Sequence, residues 1–144
     1  MIALAQINLL DALAPLFADL TIPPALTHEI APSVVRPHWI RSLVLRGTLD
    51  PRVVEADLGP GETEAIGLAL ELGTHVVALD ERRARRVARS LGLPLVGTAG
   101  LLLAAKQDGL IPAVRPYLNV LVEAGFFLGP AVVAGVLAQA EEGT

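Results

Sequence analysis

The sequence contains no cysteine. This absence excludes disulfide bonds, iron–sulfur clusters, cysteine-ligated zinc and a cysteine nucleophile. It is compatible with the reducing cytoplasm, which is where we expect the protein to reside. Histidine is also scarce, because the chain has only His28, His38 and His75, and these three have no metal-ligand spacing. A metal site would therefore depend on carboxylate oxygens.

Aromatic residues are scarce too, at 3% of the chain, although 53% of its residues are hydrophobic. A core built mainly from leucine, valine, isoleucine and alanine suits helices packed on a parallel sheet better than a β-sandwich. The chain has 144 residues, a length that fits one domain. We therefore predict a single α/β domain over residues 1–144.

Two classes of partner are disfavoured by what the sequence lacks. The apolar stretch at residues 1–17 has no basic segment ahead of it and is too short to span a bilayer, so we predict no membrane partner. The net charge of −4 argues against broad non-specific nucleic-acid binding, because such binding comes mostly from neutralised phosphates. A local basic patch is still compatible with this charge, since five of the 11 basic residues lie within positions 82–89.

Glycine and proline divide the chain into short segments of alternating type. Gly73 and Gly92 each follow an apolar helical pattern and are predicted to end it. Strands that alternate with helices imply a parallel sheet with right-handed crossovers and helices on both faces. The patterns predict strands at 20–22, 53–55, 75–79 and 95–96, and helices at 1–13, 25–30, 37–46, 62–72, 81–91, 98–109, 112–124 and 130–141.

Two glutamates near the start of the helix predicted at 62–72 face different ways. At about 100° per residue, Glu62 shares the apolar side with Ile66, whereas Glu64 falls beside Glu71 on the polar side. We interpret Glu64 as a solvated surface charge and Glu62 as a residue at the sheet-facing edge of the first turn. Glu62 has an alternative as a plain helix-end charge, because first-turn acids are stabilised by the backbone amide dipoles.

Two further carboxylates lie near strand ends. Asp80 follows the predicted strand at 75–79, at the end where functional sites of parallel sheets gather, and could instead cap the next helix. Glu29 comes soon after the strand at 20–22 and could approach the same crevice, or be a surface helix residue. Three carboxylates at one edge need neutralisation, which Mg²⁺ or Mn²⁺ would supply. Glu29, Glu62 and Asp80 are therefore the candidate catalytic and metal-binding residues.

The helix predicted after the third strand has one strongly basic face. Arg82, Arg85, Arg86 and Arg89 share this face, and Arg83 lies at its border. The face is either a solvated surface or a rim that contacts phosphates, because arginine can fork onto phosphate oxygens. In the second interpretation the arginines nearest the strand end matter most. Arg82, Arg83 and Arg86 are therefore candidates for nucleic-acid binding.

Thr98 follows the strand predicted at 95–96 and has two interpretations. Its first role is the N-cap of the helix at 98–109. Its hydroxyl could secondarily orient a water molecule or a phosphate, which makes Thr98 a fourth candidate for nucleic-acid binding.

The last two predicted helices carry more apolar positions than one small domain easily hides. Phe126 and Phe127 lie in the turn between them. A twofold interface would bury this surplus, so we predict a homodimer.

A series of motifs covers almost the whole chain: the N-terminal MIALAQINLLDAL with LTIPPALTHEI, then GETEAIGLA at 61–69, VVALDERRARRVARSLGLPLVGT at 76–98 and GLLLAAKQDGLIP at 100–112. In these motifs the chain resembles the PIN-domain superfamily, in its branch of short bacterial and archaeal proteins. The resemblance implies a three-layer α/β/α fold with a mainly parallel sheet. It also implies a Mg²⁺- or Mn²⁺-dependent endoribonuclease acting on RNA, a class that includes the toxins of toxin–antitoxin pairs, with an antitoxin protein as partner.

The family's acidic cluster typically has four carboxylates, and three have counterparts here. The resemblance matches them to Glu29, Glu62 and Asp80. The remaining one lies on a first strand ahead of the segment that matches IALAQINLL. We expect either that the start of this sequence is truncated or internal, or that the protein lacks this strand and its metal ligand. Asp11 and Asp19 are in the wrong place to replace it. We expect the other strands to close the gap or another chain to contribute to it. The alternative function is a catalytically inactive PIN-fold module for nucleic-acid binding or oligomerisation.

Overall fold

The computed structural model of the protein describes residues 14–16, 20–25, 40–73 and 76–143. The chain divides into two compact units, one of residues 19–96 and one of residues 97–144 together with 1–18. The helix predicted at 1–13 lies outside the described residues. The single-domain organisation stays a prediction.

The unit of residues 19–96 begins with two parallel strands. Strand β1 (Leu20–Ile22) pairs with β2 (Ile40–Ser42), and Leu20 lies opposite Ile40. The strand predicted at 20–22 is confirmed. The backbone is helical at Pro24 and Ala25, which agrees with a helix opened by proline.

The helix predicted at 37–46 is wrong over its described part. Residues 40–42 form β2, and residues 43–46 are neither helix nor strand. Ile40 is buried while the two residues after it are exposed. The amphipathic pattern is real, but pairing with β1 satisfies the backbone groups in an extended conformation and outweighs the local helical preference.

The strand predicted at 53–55 is also wrong, because these residues belong to helix α1 (Pro51–Glu55). Asp50 is the N-cap, and its carboxylate accepts a hydrogen bond of 2.8 Å from the backbone N–H of Arg52. A proline at the first helical position and an acidic N-cap both favour a helix start. They outweigh the strand preference of the β-branched pair, of which Val53 is completely buried.

The rest of this unit follows the predicted order. Helix α2 (Pro60–Leu72) ends at Gly73, whose φ of 62° is the left-handed conformation that glycine adopts readily. Strand β3 (Val77–Ala78) is followed by helix α3 (Arg82–Ser90) and strand β4 (Leu95–Val96). Strands β3 and β4 pair in parallel, as predicted.

The core of this unit lies where α2 meets its neighbours. Helix α2 packs against α1, β3 and α3, and α3 packs against β4. Ile66 of α2 is completely buried, which contributes roughly 1.5–3 kcal/mol of hydrophobic stabilisation. The core cluster consists of Val53, Ile66, Ala69, Val77, Leu79, Ala84 and Ala88.

The other unit is helical in its described residues. It contains a 3-10 turn at Ala14–Leu16 and the helices α4 (Thr98–Gln107), α5 (Arg115–Glu123) and α6 (Pro130–Gln139). The three predicted helices in this region are confirmed, with ends shifted by a few residues. Helix α4 packs against α6.

Glu142 ties the end of this unit to its helices. Its carboxylate accepts hydrogen bonds from the backbone N–H groups of Val114 (2.7 Å) and Arg115 (2.9 Å), and from Nζ of Lys106 (2.9 Å). These bonds, those of the two amides foremost, lower the pKa of Glu142 to about 2. The carboxylate is therefore a structural clamp.

Helices and short parallel strands alternate along the described residues, so the fold is α/β. The four described strands form two parallel pairs, β1 with β2 and β3 with β4. How the sheet compensates for the expected loss of a first strand stays a prediction. In the part of the chain that the structure describes, no helix is both long enough and apolar enough to cross a membrane.

Candidate functional site

Glu62 is the third residue of α2 and is half-buried. Its carboxylate folds back over Gly59, the N-cap, so that a Cβ atom at position 59 would lie only 2.5 Å from Oε2 of Glu62. This is where the free amides and the dipole of a helix favour negative charge. The structure therefore holds the Glu62 carboxylate at the start of α2, where either predicted role can be filled.

The Glu62 carboxylate fits beside the N-terminus of α2 because the N-cap residue, Gly59, has no side chain. Gly59 has the extended backbone conformation of an N-cap (φ −59°, ψ 159°) but no side chain that could cap the helix. Its carbonyl accepts the first helical hydrogen bond, from the N–H of Thr63 at 3.0 Å. Because Gly59 has no Cβ, the space beside the first turn is filled by the Glu62 carboxylate instead.

Asp80 is exposed and lies two positions beyond the end of β3. The N–H of Leu79 donates to the carbonyl of Val96 at 2.9 Å, so parallel pairing with the β4 segment continues up to the residue before Asp80. Asp80 thus stands at the carboxyl end of a parallel strand, where the sequence placed it.

The alternative role of Asp80 as a helix cap is wrong. Glu81 is the N-cap of α3, and its carboxylate accepts hydrogen bonds from the N–H groups of Arg83 (3.0 Å) and Ala84 (2.8 Å). These two bonds, first that of Arg83, hold the pKa of Glu81 below its ordinary value. Glu81, and not Asp80, therefore caps the N-terminus of α3.

Glu64 is not the solvated surface charge that the helical pattern predicted. It is half-buried, and its Oε2 accepts a hydrogen bond of 3.1 Å from the backbone N–H of Ala25. Glu71, two turns further along α2, accepts hydrogen bonds from the backbone N–H groups of Arg46 and Gly47. The polar side of α2 is therefore used to hold the backbone of the segments around β1 and β2.

Gly67 lies between these two glutamates on α2 and permits a close approach. A Cβ atom at position 67 would lie 2.6 Å from Cδ2 of Leu49 and 3.3 Å from Cδ2 of Leu45. The segment after β2 therefore packs directly on the helix that carries Glu62.

The arginines of α3 fall into two groups. Arg83 donates to the carbonyl of Ala56, and Nη1 of the half-buried Arg85 donates to the carbonyl of Leu79 at 2.8 Å. Both therefore serve the fold of residues 19–96. The second group, which is exposed, consists of Arg82, Arg86 and Arg89.

Thr98 lies in the other unit and is buried, with 1% of its surface exposed. It is the first residue of α4, and Gly97 is the N-cap, so the predicted capping by Thr98 is wrong. A buried side chain offers almost no surface to an incoming phosphate.

Two of the three predicted metal ligands lie in or beside elements that pack together. Helix α2, which begins with Glu62, packs against both β3 and α3, which flank Asp80. Their carboxylate oxygens are the donors that Mg²⁺ and Mn²⁺ prefer. Glu29 lies outside the described residues. Within the described ranges, no three histidine or acidic side chains come close enough together to hold a metal ion. The donor chemistry fits a hard cation, but these residues do not supply a complete ligand set.

Sequence reasoning named Glu62, Glu64 and Arg85 but missed one contact of each. Glu62 stands three positions after the N-cap Gly59, which is the spacing of a capping box and could have suggested that its carboxylate reaches back. No sequence signal indicates the hydrogen bond between Glu64 and Ala25, because these residues are 39 positions apart in the chain. Nor does any indicate the bond from Arg85 to the carbonyl of Leu79, the residue after β3.

The chain is similar to a known protein family. A protein-family model described as a PIN domain matches residues 1–142. No curated protein matches the chain, and no solved structure does. The matched range includes all three candidate carboxylates, Glu29, Glu62 and Asp80.

Proposed function

Because the chain belongs to the PIN-domain family, we propose that it is a divalent-metal-dependent endoribonuclease with Glu29, Glu62 and Asp80 as its catalytic and metal-binding carboxylates. Family membership supports a nuclease-type function in general. The observation that carries the finer proposal is the placement of Glu62 at the start of α2 and Asp80 beyond β3, on elements that pack together.

The proposed roles follow from the surroundings of each carboxylate. Glu62 is half-buried and lies at the N-terminus of α2, where the helix dipole favours its negative charge. Asp80 is exposed at a strand end, where an RNA strand can reach it. A bound Mg²⁺ or Mn²⁺ would supply Lewis-acid polarisation of the phosphodiester and an activated water. The two carboxylates would hold and orient that cation.

The alternative is a catalytically inactive PIN-fold module. It is favoured by the exposed apolar side chains of the unit of residues 97–144. Phe127 is 85% exposed, and Val122 and Val132 are each about half exposed. A homodimer that buries these side chains is the oligomerisation form of this alternative, and it is equally compatible with an active enzyme.

The experiment that separates the two functions is RNA cleavage by the purified protein. End-labelled single-stranded RNA is incubated with Mn²⁺, with Mg²⁺ or with EDTA, and the fragments are resolved by size. We expect internal cleavage that requires the metal and is lost in Glu62→Gln and in Asp80→Asn. Glu55→Gln is the matched control, because Glu55 is an exposed glutamate of the same unit. Intact RNA in the presence of Mn²⁺ would leave the inactive module as the function.

A toxin role adds a partner to the proposal. If the protein is the toxin of a toxin–antitoxin pair, its expression should arrest growth, and co-expression of the cognate antitoxin should restore it. The arrest should disappear in Glu62→Gln and persist in Glu55→Gln. Arrest by the Glu62→Gln variant would show that toxicity does not come from ribonuclease chemistry.

A further inference from the structure

We propose that Arg82, Arg86 and Arg89 form a phosphate-binding stripe along α3 that holds the backbone of single-stranded RNA. The proposal rests on the proposed function for one point only, which is the choice of RNA as the polyanion. It differs from the sequence-based prediction in including Arg89 and in leaving out Arg83 and Thr98.

The geometry of α3 places these three side chains in one line. At about 100° per residue they fall within an arc of about 60°, and at about 1.5 Å per residue they extend over about 10 Å of the helix axis. Arg83 is displaced by about 100° from Arg82 around the helix. The three residues therefore present an elongated basic surface, which suits a chain of phosphates better than a single anion.

The stripe is also the part of α3 that the protein does not use for itself. The guanidinium group of Arg83 donates a hydrogen bond to the carbonyl of Ala56, and that of Arg85 donates one to the carbonyl of Leu79. Across the described residues, no hydrogen bond or ion pair engages the side chains of Arg82, Arg86 or Arg89. Their donors are thus available to a ligand.

Placing these charges together works against the stability of the helix. Arg82 and Arg86 are four residues apart and Arg86 and Arg89 are three apart, spacings at which like charges repel. Arg82 is also the first residue of α3, beside the positive end of the helix dipole. Because the chain already has a net charge of −4, the protein does not need a cluster of arginines on α3 to be soluble. A bound polyanion would reduce both the repulsion between the arginines and the unfavourable interaction of Arg82 with the helix dipole.

Position in the fold selects RNA over an acidic protein as the ligand. Arg82 lies two residues after Asp80, so the stripe begins beside a proposed catalytic carboxylate and runs away from it along α3. A strand whose phosphates follow the stripe would enter the candidate site at one end. Guanidinium groups bind phosphate oxygens with two donors each, which favours a regular phosphate chain.

The test is the salt dependence of RNA binding, measured by fluorescence anisotropy in EDTA so that no cleavage is required. Three phosphate contacts predict that the slope of log K against log[salt] becomes less steep by about 2 when all three are removed, at about 0.7 per contact for a single strand. We expect this loss in Arg82→Gln/Arg86→Gln/Arg89→Gln.

The matched control removes the same charge from the same unit. The triple variant Arg41→Gln/Arg46→Gln/Arg52→Gln changes three exposed arginines outside α3 and should keep the wild-type slope. Circular dichroism of both variants checks that they are folded. An equal loss in the control would overturn the stripe in favour of diffuse charge, and an unchanged slope in the α3 variant would overturn it directly.

Two further outcomes separate the stripe from the nuclease proposal and from a protein ligand. RNA that binds in EDTA through the stripe but is never cut with Mn²⁺ would refute the nuclease and leave the stripe standing. Mn²⁺-dependent cleavage by the α3 variant, together with an unchanged slope, would refute the stripe and leave the nuclease proposal standing. A wild-type protein that binds polyglutamate but not RNA would overturn the proposal and identify an acidic protein as the ligand.

Discussion

Replacement of Gly59 by alanine should separate the two roles that Glu62 can have. The backbone of Gly59 (φ −59°, ψ 159°) is one that alanine adopts without strain, so α2 can still form. The new Cβ would lie 2.5 Å from Oε2 and 3.6 Å from Cδ of Glu62. The substitution therefore moves a carboxylate while leaving its charge and the charge of the protein unchanged.

The size of the displacement follows from these contacts. Ordinary van der Waals contact begins at 3.4 Å, so Oε2 must withdraw by about 0.9 Å, which a flexible glutamate can do at little cost to folding. Loss of unfolded-state freedom should stabilise Gly59→Ala by about 0.4–1 kcal/mol, and a poorer N-cap residue offsets this gain. We expect stability within about 1 kcal/mol of wild type. A misplacement of about 1 Å in a catalytic group can cost about 10²-fold in rate.

The chain offers a closely matched control in Gly129. It is the N-cap of α6, has nearly the same backbone (φ −62°, ψ 140°) and is likewise followed by a proline at the first helical position. A Cβ at position 129 would meet its nearest neighbour, Cγ2 of Val132, at an ordinary 3.9 Å. Gly129→Ala should therefore change stability about as much as Gly59→Ala and leave ribonuclease activity unchanged.

The assay combines urea unfolding with Mn²⁺-dependent RNA cleavage for wild type and both variants. Loss of cleavage in Gly59→Ala alone, at nearly unchanged stability, would show that the location of the Glu62 carboxylate matters to the chemistry. Wild-type cleavage by Gly59→Ala would refute this reasoning and leave Glu62 as a helix-end charge.

Two further predictions concern acids that hold the fold. Glu64→Ala should lower the free energy of unfolding by about 1–2 kcal/mol, because the N–H of Ala25 loses its half-buried acceptor, whereas Glu64→Gln keeps an oxygen there and should lose less; equal losses in urea unfolding would count against this bond. Glu142 has its pKa lowered to about 2 from an ordinary value of 4.5, so its contribution to stability is present above about pH 4.5 and is lost as the pH falls toward 2. The Glu142→Gln variant should therefore have a lower free energy of unfolding than wild type at pH 7. Its free energy of unfolding should also change less between pH 4.5 and 2. Curves of this free energy against pH that run parallel for variant and wild type would refute the stabilising role of the Glu142 carboxylate.

Local patterns predicted the helices well because their ends are determined by nearby residues. Gly73 terminates α2 in the left-handed conformation, and Glu81, the first residue of the helix predicted at 81–91, caps α3. The two wrong elements, at 37–46 and 53–55, are short segments in which one signal opposed another. Pairing with β1 decided the first, and the start signal of Asp50 and Pro51 decided the second.

The candidate site was predictable to the level of which elements carry it. Asp80 stands at the end of a parallel strand because a buried apolar run precedes it and a strong helix follows it. The helical pattern failed for Glu64. It correctly placed this residue on the polar side of α2, but it could not show that the backbone of Ala25 packs against that side.

The sequence by itself determined the alternation of helices and strands from α2 onward, the basic face of α3 and the position of Asp80 at a strand end. These features depend on residue spacing and on capping residues a few positions away, so neighbouring residues suffice to specify them. Tertiary structure alone decided that Glu64 binds the backbone of Ala25, that Arg83 binds the carbonyl of Ala56, and that Arg82, Arg86 and Arg89 stay exposed. Each of these outcomes depends on which segments pack together, and no local pattern contains that information. The position of the Glu62 carboxylate over Gly59 is a local contact, which its capping-box spacing could have suggested.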